Sequence, residues 1–389
     1  MVPALTADEQ RLIDSAKAFT RTVVLPNAAR WERERRIARD ALKSAAELGF
    51  NKIEVPKAHG GLGMSFFAKL RVAEELSRGC MAFAFSLVNT HNCAKRIAHE
   101  GTQEQIARFL PALLKVERLG GAALSEPDVG SDFAEIQTTA RKTADGWVLN
   151  GEKAWITNAA EGDVYFTYAQ TEPGSRGRGI ACFLVDGTKP GFERVPPFQL
   201  MGGHAIGVGG FKLRDYRATG ADLIRPAGKA FSVALQGLNQ ARTYVAAMCC
   251  GMLEEALACA VRYGGERQAF GKPLLEHQGL RWKLARVATD LEAARLLTYR
   301  AVGLIEAEGA APRGQDGMLA ASFAKKFASE MIVERLSDCM QVMGAAGLRE
   351  ECPIGRHIAL ARIANYVDGS TEIQNDRIGA VLASRYGAS

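Results

Sequence analysis

The strongest chemical candidate in this sequence is a carboxylate at a sharp turn near the C-terminus. A run with helical spacing stops at Asp368 and Gly369, and a new helical run follows Ser370 and Thr371. Glycine lets the backbone turn sharply and exposes the preceding carboxylate, and a hydroxyl can cap the next helix. A carboxylate in that position can act as a general base. An ordinary helix connection with a solvated Asp has the same pattern, so other parts of the chain must decide.

The composition excludes several classes of function. The chain has 389 residues, of which 47% are hydrophobic and 24% charged, as in globular proteins of two or three domains. The net charge is only +6, and the densest basic cluster, residues 30–36, is interleaved with Glu, which disfavours a nucleic-acid partner. The eight cysteines form no CxxC pair, so we expect reduced, buried thiols and no metal site.

The sequence also predicts no role at a membrane. No apolar run looks long enough to cross a bilayer, and the N-terminus lacks the charged and apolar regions of a signal peptide. We therefore expect a cytoplasmic location.

Hydrophobic periodicity divides the chain into three parts. Helical patterns begin after a capping box formed by Thr6 and Glu9, short strand-like runs fill the middle, and long amphipathic runs follow at about 231–263, 275–308, 316–345 and 354–386. The predicted fold class is mainly α with a central β domain. Its parts are an N-terminal helical bundle (1–118), a middle antiparallel β-barrel or sandwich (119–229) and a C-terminal four-helix bundle (230–389).

Five short motifs give this organisation a specific resemblance. They are Leu124–Asp132 (LSEPDVGSD), Gly151–Asn158 (GEKAWITN), Arg267–Gln278 (RQAFGKPLLEHQ), Gln341–Gly347 (QVMGAAG) and the Asp368-Gly369 turn. Each motif is weak to moderate by itself. In this order, over residues from about 6 to 386, they resemble the acyl-CoA dehydrogenases.

The resemblance implies FAD as the cofactor. Ser125 and neighbouring backbone groups would serve the pyrimidine edge, Trp155 would form a wall over the flavin ring, and Thr157 would donate toward N5. Without the motif, Trp155 would read as part of the β-domain core. The implied cofactor-binding residues are Leu124, Ser125, Gly130, Ser131, Trp155, Ile156, Thr157, Arg267, Phe270, Gln278, Gln341, Gly344, Ser370 and Glu372.

Some of these residues imply an oligomer. By the resemblance, Arg267, Phe270 and Gln278 reach the flavin of a neighbouring subunit, whereas Gln341 and Gly344 approach its adenosine side. Arginine suits a pyrophosphate because its guanidinium donates to two oxygens, although a solvated arginine at a helix end is the ordinary alternative. The implied assembly is a homotetramer built as a dimer of dimers.

The implied reaction is oxidation of an acyl thioester to its α,β-unsaturated form. A base takes the α-proton while the β-hydrogen leaves as hydride to flavin N5, and the backbone N–H of the catalytic residue helps to polarise the carbonyl. The usual base of the family at this turn is Glu, whereas this chain has Asp368. The second base position known in the family holds Ala241, which leaves Asp368 as the candidate. The implied substrate-binding residues are Ser131, Asn239, Arg242, Gly369, Asn89 and His91.

The shorter acid raises a question about the substrate. Aspartate draws the carboxylate back by roughly 1.5 Å, one C–C bond. The segment expected to line the acyl pocket carries Asn89, Thr90, His91 and Asn92. These side chains either face solvent or form hydrogen bonds with the helix backbone, or they indicate a short, branched, cyclic or polar acyl group.

Partners and reaction class stay open at this point. The substrate would be an acyl-CoA or an acyl-carrier thioester, and an electron-transfer flavoprotein would accept the electrons. The alternatives are a flavoenzyme resembling nitroalkane oxidase and a non-redox lyase or thioester-binding member of the same family.

Overall fold

The fold is described from a computed structural model that covers residues 2–308 and 315–387. The N-terminal part is helical, and a π-helical turn at Thr20–Val24 joins its first two helices. The helices of this part are α1 Ala7–Phe19, α2 Leu25–Glu34, α3 Arg39–Glu47, α4 Phe66–Gly79, α5 Met81–Glu100 and α6 Gln103–Leu114.

The start of α1 follows directly from its sequence. The Glu9 N–H donates to Thr6 Oγ1 at 3.3 Å, and the Thr6 N–H donates to Glu9 Oε2 at 2.8 Å. This reciprocal capping box satisfies two N–H groups that have no partner inside the helix. The predicted cap is confirmed, and its stripe of apolar residues is buried: Leu12, Ile13, Ala16 and Phe19.

The middle part is one eight-stranded sheet. The strands are β1 Gly120–Ala123, β2 Thr139–Thr143, β3 Gly146–Ile156, β4 Val164–Gln170, β5 Ile180–Asp186, β6 Phe192–Val195, β7 Gly209–Ala218 and β8 Leu223–Arg225. Their order in the sheet is β6-β7-β3-β2-β4-β5-β8, with β1 paired to β4. Most neighbours are antiparallel, as predicted, but β1 and β2 each pair with β4 in parallel.

The C-terminal part is helical again, as predicted. The run expected at 354–386 is two helices, because the turn that carries Asp368 interrupts it. A two-stranded hairpin of β9 Gln268–Ala269 and β10 Lys272–Pro273 joins the first two helices. The helices are α7 Ala230–Glu266, α8 Gln278–Glu308, α9 Gln315–Met343, α10 Pro353–Ala361 and α11 Thr371–Tyr386.

Helix α7 corrects one expectation from the sequence. By length and composition it could span a bilayer, so the expectation that no run is long enough was wrong. However, 72% of its most apolar stretch is buried inside the protein. A helix that is apolar around its circumference is also typical of a protein core, and α7 packs against α4, α8 and α9.

Close packing of α7 against α4 requires a residue without a side chain. A Cβ at Gly251 would lie 2.1 Å from the Glu74 carbonyl oxygen and 2.2 Å from Ser77 Oγ. Backbone cannot yield as a flexible side chain does, so the two helices would have to separate.

Gly251→Ala is therefore expected to lower the free energy of unfolding by about 1–3 kcal/mol through overpacking, measured by urea denaturation. The matched control is Gly265→Ala in the same helix, where the nearest atom to the new Cβ is 3.9 Å away. This control should be neutral or stabilising by up to about 1 kcal/mol. Equal effects of the two substitutions would contradict the packing argument.

Candidate active site

The candidate base lies on a left-handed turn between α10 and α11. Asp368 has φ 56° and Gly369 has φ 96°, so two consecutive residues adopt left-handed backbone conformations. Ser370 then caps α11, because its hydroxyl accepts from the Ile373 N–H at 3.5 Å. The predicted turn and cap are therefore present, and the turn closes one side of a cavity.

Three side chains from three helices hold this turn in place. Arg242 Nε of α7 donates to the Asp368 carbonyl oxygen at 3.1 Å. Lys325 Nζ of α9 donates to the carbonyl oxygens of Gly369 at 2.7 Å and Asn365 at 3.1 Å. Gln374 Nε2 of α11 donates to Gly369 at 3.0 Å. Arg242 was predicted as a site residue from the sequence, whereas Lys325 and Gln374 were not.

The carboxyl group of Asp368 is poised to act as a base. Its Oδ2 atom is buried and has no hydrogen-bond partner in the part of the chain that the structure describes. Burial raises the pKa of Asp368 to about 6, although Arg242 and Lys325 favour the charged form. A carboxylate with a pKa just below neutral is ionised at pH 7 and still basic enough to accept a proton.

Burial also shifts the pKa values of Arg242 and Lys325, the two cations that hold the turn. Burial, together with Arg377, lowers the pKa of Arg242 to about 10. Burial also lowers the pKa of Lys325 to about 8, although Asp368 opposes this. Both groups remain charged at neutral pH and stabilise the ionised base.

The turn faces a cavity of about 830 Å³ between α5, α7 and the sheet. Asp368 and Ala241 both line it, so the position of the family's second base carries a methyl group on the cavity wall. The volume is in the range typical of small-molecule sites. Asp368 is therefore the acid that stands at the position expected for the base.

The predicted substrate-binding residues are divided between the cavity and other places. Asn89 and Asn239 line the cavity, and Asn239 Oδ1 accepts from Arg242 Nη1 at 2.7 Å. His91 is fully buried behind the wall, where Nε2 accepts from the Glu54 N–H at 3.1 Å. Burial lowers the pKa of His91 to about 3, so it is neutral. Ser131 lies exposed in the loop of the first motif.

A buried ion pair joins the first two motifs. Lys153 Nζ lies 2.7 Å from Glu126 Oε1 and also donates to the Leu124 carbonyl at 3.1 Å. Glu126 in turn accepts from the N–H groups of Gln137 at 2.6 Å and Thr138 at 3.0 Å. Glu126 and Lys153 lie inside the first and the second motif, but they were not predicted as site residues from the sequence. They fix the loop that would face the flavin.

The second motif presents an aromatic face to solvent. Trp155 has φ 62° and its side chain is 58% exposed, and its ring lies 4.4 Å from that of Phe198. Ile156 is buried and Thr157 half-buried beside it. An exposed indole held on a left-handed backbone fits a flat aromatic ligand such as the flavin ring, since aromatic faces stack. Leu124 and Ser125 lie next to this strand, because the Ala154 N–H donates to the Ser125 carbonyl at 3.1 Å.

The remaining predicted cofactor residues lie on the surface of one chain. Phe270 is 96% exposed, and no residue of this group lines the cavity. A Cβ added at Gly130 or Gly344 would meet no atom within 4 Å among the described residues. Glu372 is exposed in the first turn of α11, where its own backbone and the Ser370 hydroxyl lower its pKa. The exposed residues of this group are Gly130, Ser131, Arg267, Phe270, Gln278, Gln341, Gly344 and Glu372.

Comparisons with known proteins agree along the whole chain. Family models for the N-terminal, middle and C-terminal domains of acyl-CoA dehydrogenases match residues 6–117, 121–216 and 228–383. The short-chain specific acyl-CoA dehydrogenase of Bos taurus is 34% identical over 98% of this chain and 92% of its own. The chain belongs to the acyl-CoA dehydrogenase family.

Solved structures are similar over the same extent. A chain of the structure described as the electron transferring flavoprotein of Acidaminococcus fermentans has 30% identity and a TM-score of 0.92, over 98% of this chain and 99% of that one. A glutaryl-CoA dehydrogenase of Mycobacterium smegmatis in complex with FADH2 has 26% identity and a TM-score of 0.90, over 98% and 95%. As a member of this family, the protein is an FAD-dependent oxidoreductase.

Lys153→Met is expected to destabilise the protein by about 3–5 kcal/mol, because it leaves the Glu126 carboxylate buried without its cation. Denaturant unfolding measures this change. Lys212→Met is the control, since Lys212 forms a half-exposed pair with Glu152 and its loss should change stability by no more than about 1 kcal/mol. A Lys153 variant as stable as the control would argue against the role of the buried pair.

Trp155→Ala is expected to reduce the amount of FAD that remains bound, because the exposed indole face is lost. The measurement is the ratio of flavin to protein absorbance after gel filtration. Tyr386→Ala is the control, because Tyr386 is 77% exposed at the C-terminal end of α11, away from the predicted cofactor residues. Unchanged flavin content in the Trp155 variant would remove Trp155 from the cofactor site.

Proposed function

We propose that this protein catalyses the FAD-dependent α,β-dehydrogenation of an acyl thioester, with Asp368 abstracting the α-proton. The observation that carries the proposal is the Asp368 carboxyl group, which faces the cavity with a buried Oδ2 and no partner among the described residues. Burying a carboxylate without a hydrogen-bond partner costs free energy. Such a group is typical of a functional site, where a bound ligand or a transferred proton becomes its partner.

The turn can also polarise the thioester. The N–H of Asp368 donates to no acceptor within the described residues, so it is free to donate to the thioester carbonyl oxygen. An N–H aimed at the developing enolate oxygen lowers the barrier to removal of the α-proton. When bound, FAD supplies the hydride acceptor at N5 and a ribityl hydroxyl for the same oxygen. One residue thus provides the base through its side chain and a donor through its backbone.

The acyl group that fits this arrangement is short, branched, cyclic or polar. Because aspartate reaches roughly 1.5 Å less far than glutamate, the α-carbon must approach the turn closely. Tyr244 of α7 lines the cavity, and its ring packs edge to face on Phe85 of α5 with the centroids 6.3 Å apart, so a bulky and fixed side chain there favours a compact acyl group. Asn89 and Asn92 add polar groups to the wall. The thioester is an acyl-CoA or, as the alternative, an acyl-carrier thioester.

We further propose that the enzyme is a homotetramer, a dimer of dimers, which reduces an electron-transfer flavoprotein. The support is the surface of the β9–β10 hairpin, where Phe270 is 96% exposed beside Arg267. An exposed aromatic next to an arginine is typical of an interface.

The eight cysteines are all free thiols, which is consistent with a cytoplasmic location.

Asp368→Asn is expected to abolish bleaching of the flavin by acyl-CoA while FAD stays bound, because the amide keeps the shape of the turn but cannot accept the α-proton. Anaerobic titration of the flavin absorbance with short, branched and cyclic acyl-CoAs measures this. Asp376→Asn on the exposed face of α11 is the control and should bleach normally.

Three outcomes of that titration would overturn the proposal. Retained bleaching in the Asp368 variant would remove this residue as the base. Peroxide release with a nitroalkane, without response to thioesters, would select a nitroalkane-oxidase-like enzyme. Product formation without flavin reduction would select a non-redox lyase.

The pH dependence follows from the raised pKa of Asp368. The base is active when ionised, so kcat/KM should rise about tenfold per pH unit below pH 6 and level off above it. Lys325 favours the ionised form and lowers this pKa. Lys325→Met should therefore move the midpoint to higher pH, whereas Lys325→Arg, which keeps the charge, should move it less. A midpoint that does not move would show that Lys325 has no electrostatic effect on the base.

A further inference from the structure

The part of the cavity wall that α5 forms carries two adjacent cations. Lys95 and Arg96 are consecutive residues of α5, and both line the cavity that contains Asp368. The Lys95 side chain is 24% exposed, and Arg96 is half-buried. A cation in a partly dehydrated cavity is costly unless an anion pairs with it.

Among the described residues, the one carboxylate that pairs with Lys95 is shared with a second lysine. Glu54 is buried and lies 2.5 Å from both Lys95 Nζ and Lys69 Nζ. Lys69 is 2% exposed, and burial lowers its pKa to about 8, so it remains charged at neutral pH. His91 in the same cluster is neutral. One negative and two positive charges leave the cluster with an excess of one positive charge, next to the cavity.

Arg96 has only neutral partners among the described residues. Its Nη1 donates to the Tyr168 hydroxyl at 3.1 Å, and its guanidinium carbon lies 5.5 Å from the centre of the Phe166 ring. The nearby lining carboxylate Glu100 pairs instead with Arg225. Arg96 is thus held in a fixed position by aromatic groups, and its remaining donors are unused. Such a guanidinium is suited to bidentate binding of a carboxylate.

Both cations contact α7 on the N-terminal side of Arg242, the residue that holds the Asp368 turn. Lys95 Nζ contacts Gln240 Oε1 at 3.3 Å, and Arg242, two residues later, holds the Asp368 turn. Arg96 Nη2 lies beside Gly237, where a Cβ would come within 2.7 Å of it. Two to five residues along a helix correspond to about 3–8 Å. The α7 positions that the cations contact are thus separated from Arg242, along the helix, by about the length of a short acyl chain.

We infer that Lys95 and Arg96 form a subsite for a carboxylate carried by the acyl group, so that the substrates are thioesters of short dicarboxylic acids. The inference rests on the proposed function and names the substrate class of the same site. Asn92 belongs to this wall, because its Oδ1 accepts from Lys69 Nζ at 3.1 Å and its Nδ2 points to the Tyr244 hydroxyl at 3.5 Å. Asn89, by contrast, satisfies the helix backbone, because its Nδ2 donates to the Phe85 carbonyl oxygen at 2.9 Å.

The test compares thioesters that differ only in charge. Anaerobic stopped-flow reduction of the FAD-loaded enzyme is followed with the CoA monothioesters of succinic, glutaric and adipic acids and with the corresponding methyl esters. For the best chain length, we expect the second-order rate constant of flavin reduction by the acid to exceed that of its methyl ester at least tenfold. If the methyl esters or valeryl-CoA reduce the flavin as fast as the acids do, the subsite is absent while the dehydrogenase function stands. If no thioester reduces the flavin, the proposed function itself fails.

Two variants assign the preference to residues. Lys95→Met and Arg96→Met should each lower the ratio of acid to methyl ester at least tenfold, whereas Lys43→Met, on the exposed face of α3, should leave it unchanged. Flavin content and thermal unfolding show whether each variant is folded. The ratio of acid to methyl ester measured for the wild-type enzyme can overturn the inference by itself. The test therefore does not depend on whether either variant folds.

The phosphates of CoA are the other possible source of an anion. If the variants weaken acid and ester equally, and do so for CoA thioesters but not for pantetheine thioesters, the cations bind a CoA phosphate and the inference is wrong. If the ratio falls for both CoA and pantetheine thioesters, the carboxylate subsite is supported.

Discussion

The candidate site depends on two buried cations that hold a left-handed turn. Without Arg242 and Lys325, the carbonyl groups of Asp368 and Gly369 would be buried with few donors, since the turn belongs to no helix. The cations satisfy these carbonyl oxygens and, by the same placement, act on the carboxyl group of Asp368. The same two side chains therefore fix the backbone of the turn by hydrogen bonds and act electrostatically on the carboxyl group of Asp368.

This arrangement links three helices that are distant in sequence. Arg242 lies 126 residues before the turn and Lys325 lies 44 residues before Gly369. Displacement of α7 or α9 would move the turn as well. The close contact of Gly251 with the α4 backbone supports the middle of α7. Core packing and the position of the base are thus coupled through a single long helix.

Sequence reasoning predicted the parts of this design that are local. The capping box at Thr6, the change of period near residue 120 and the turn at Asp368 depend on neighbouring residues. The parallel pairing of β1 with β4 and the role of Lys325 depend on contacts across the fold, which periodicity does not report. Glu126 and Lys153 stood inside recognised motifs, but nothing in either motif says that they pair. His91 is polar in sequence and faces Glu54 instead of the cavity.

The backbone angle of Asp368 gives the exchange of glutamate for aspartate a second meaning. At φ 56°, aspartate and asparagine are among the best tolerated residues other than glycine, whereas longer side chains are less often found there. The shorter acid thus loses reach but lowers the conformational cost of presenting a carboxylate at this turn. A shorter distance to the substrate and a lower conformational energy of the backbone therefore depend on the same choice of side chain. A substrate that binds closer to the turn allows the protein to keep aspartate there.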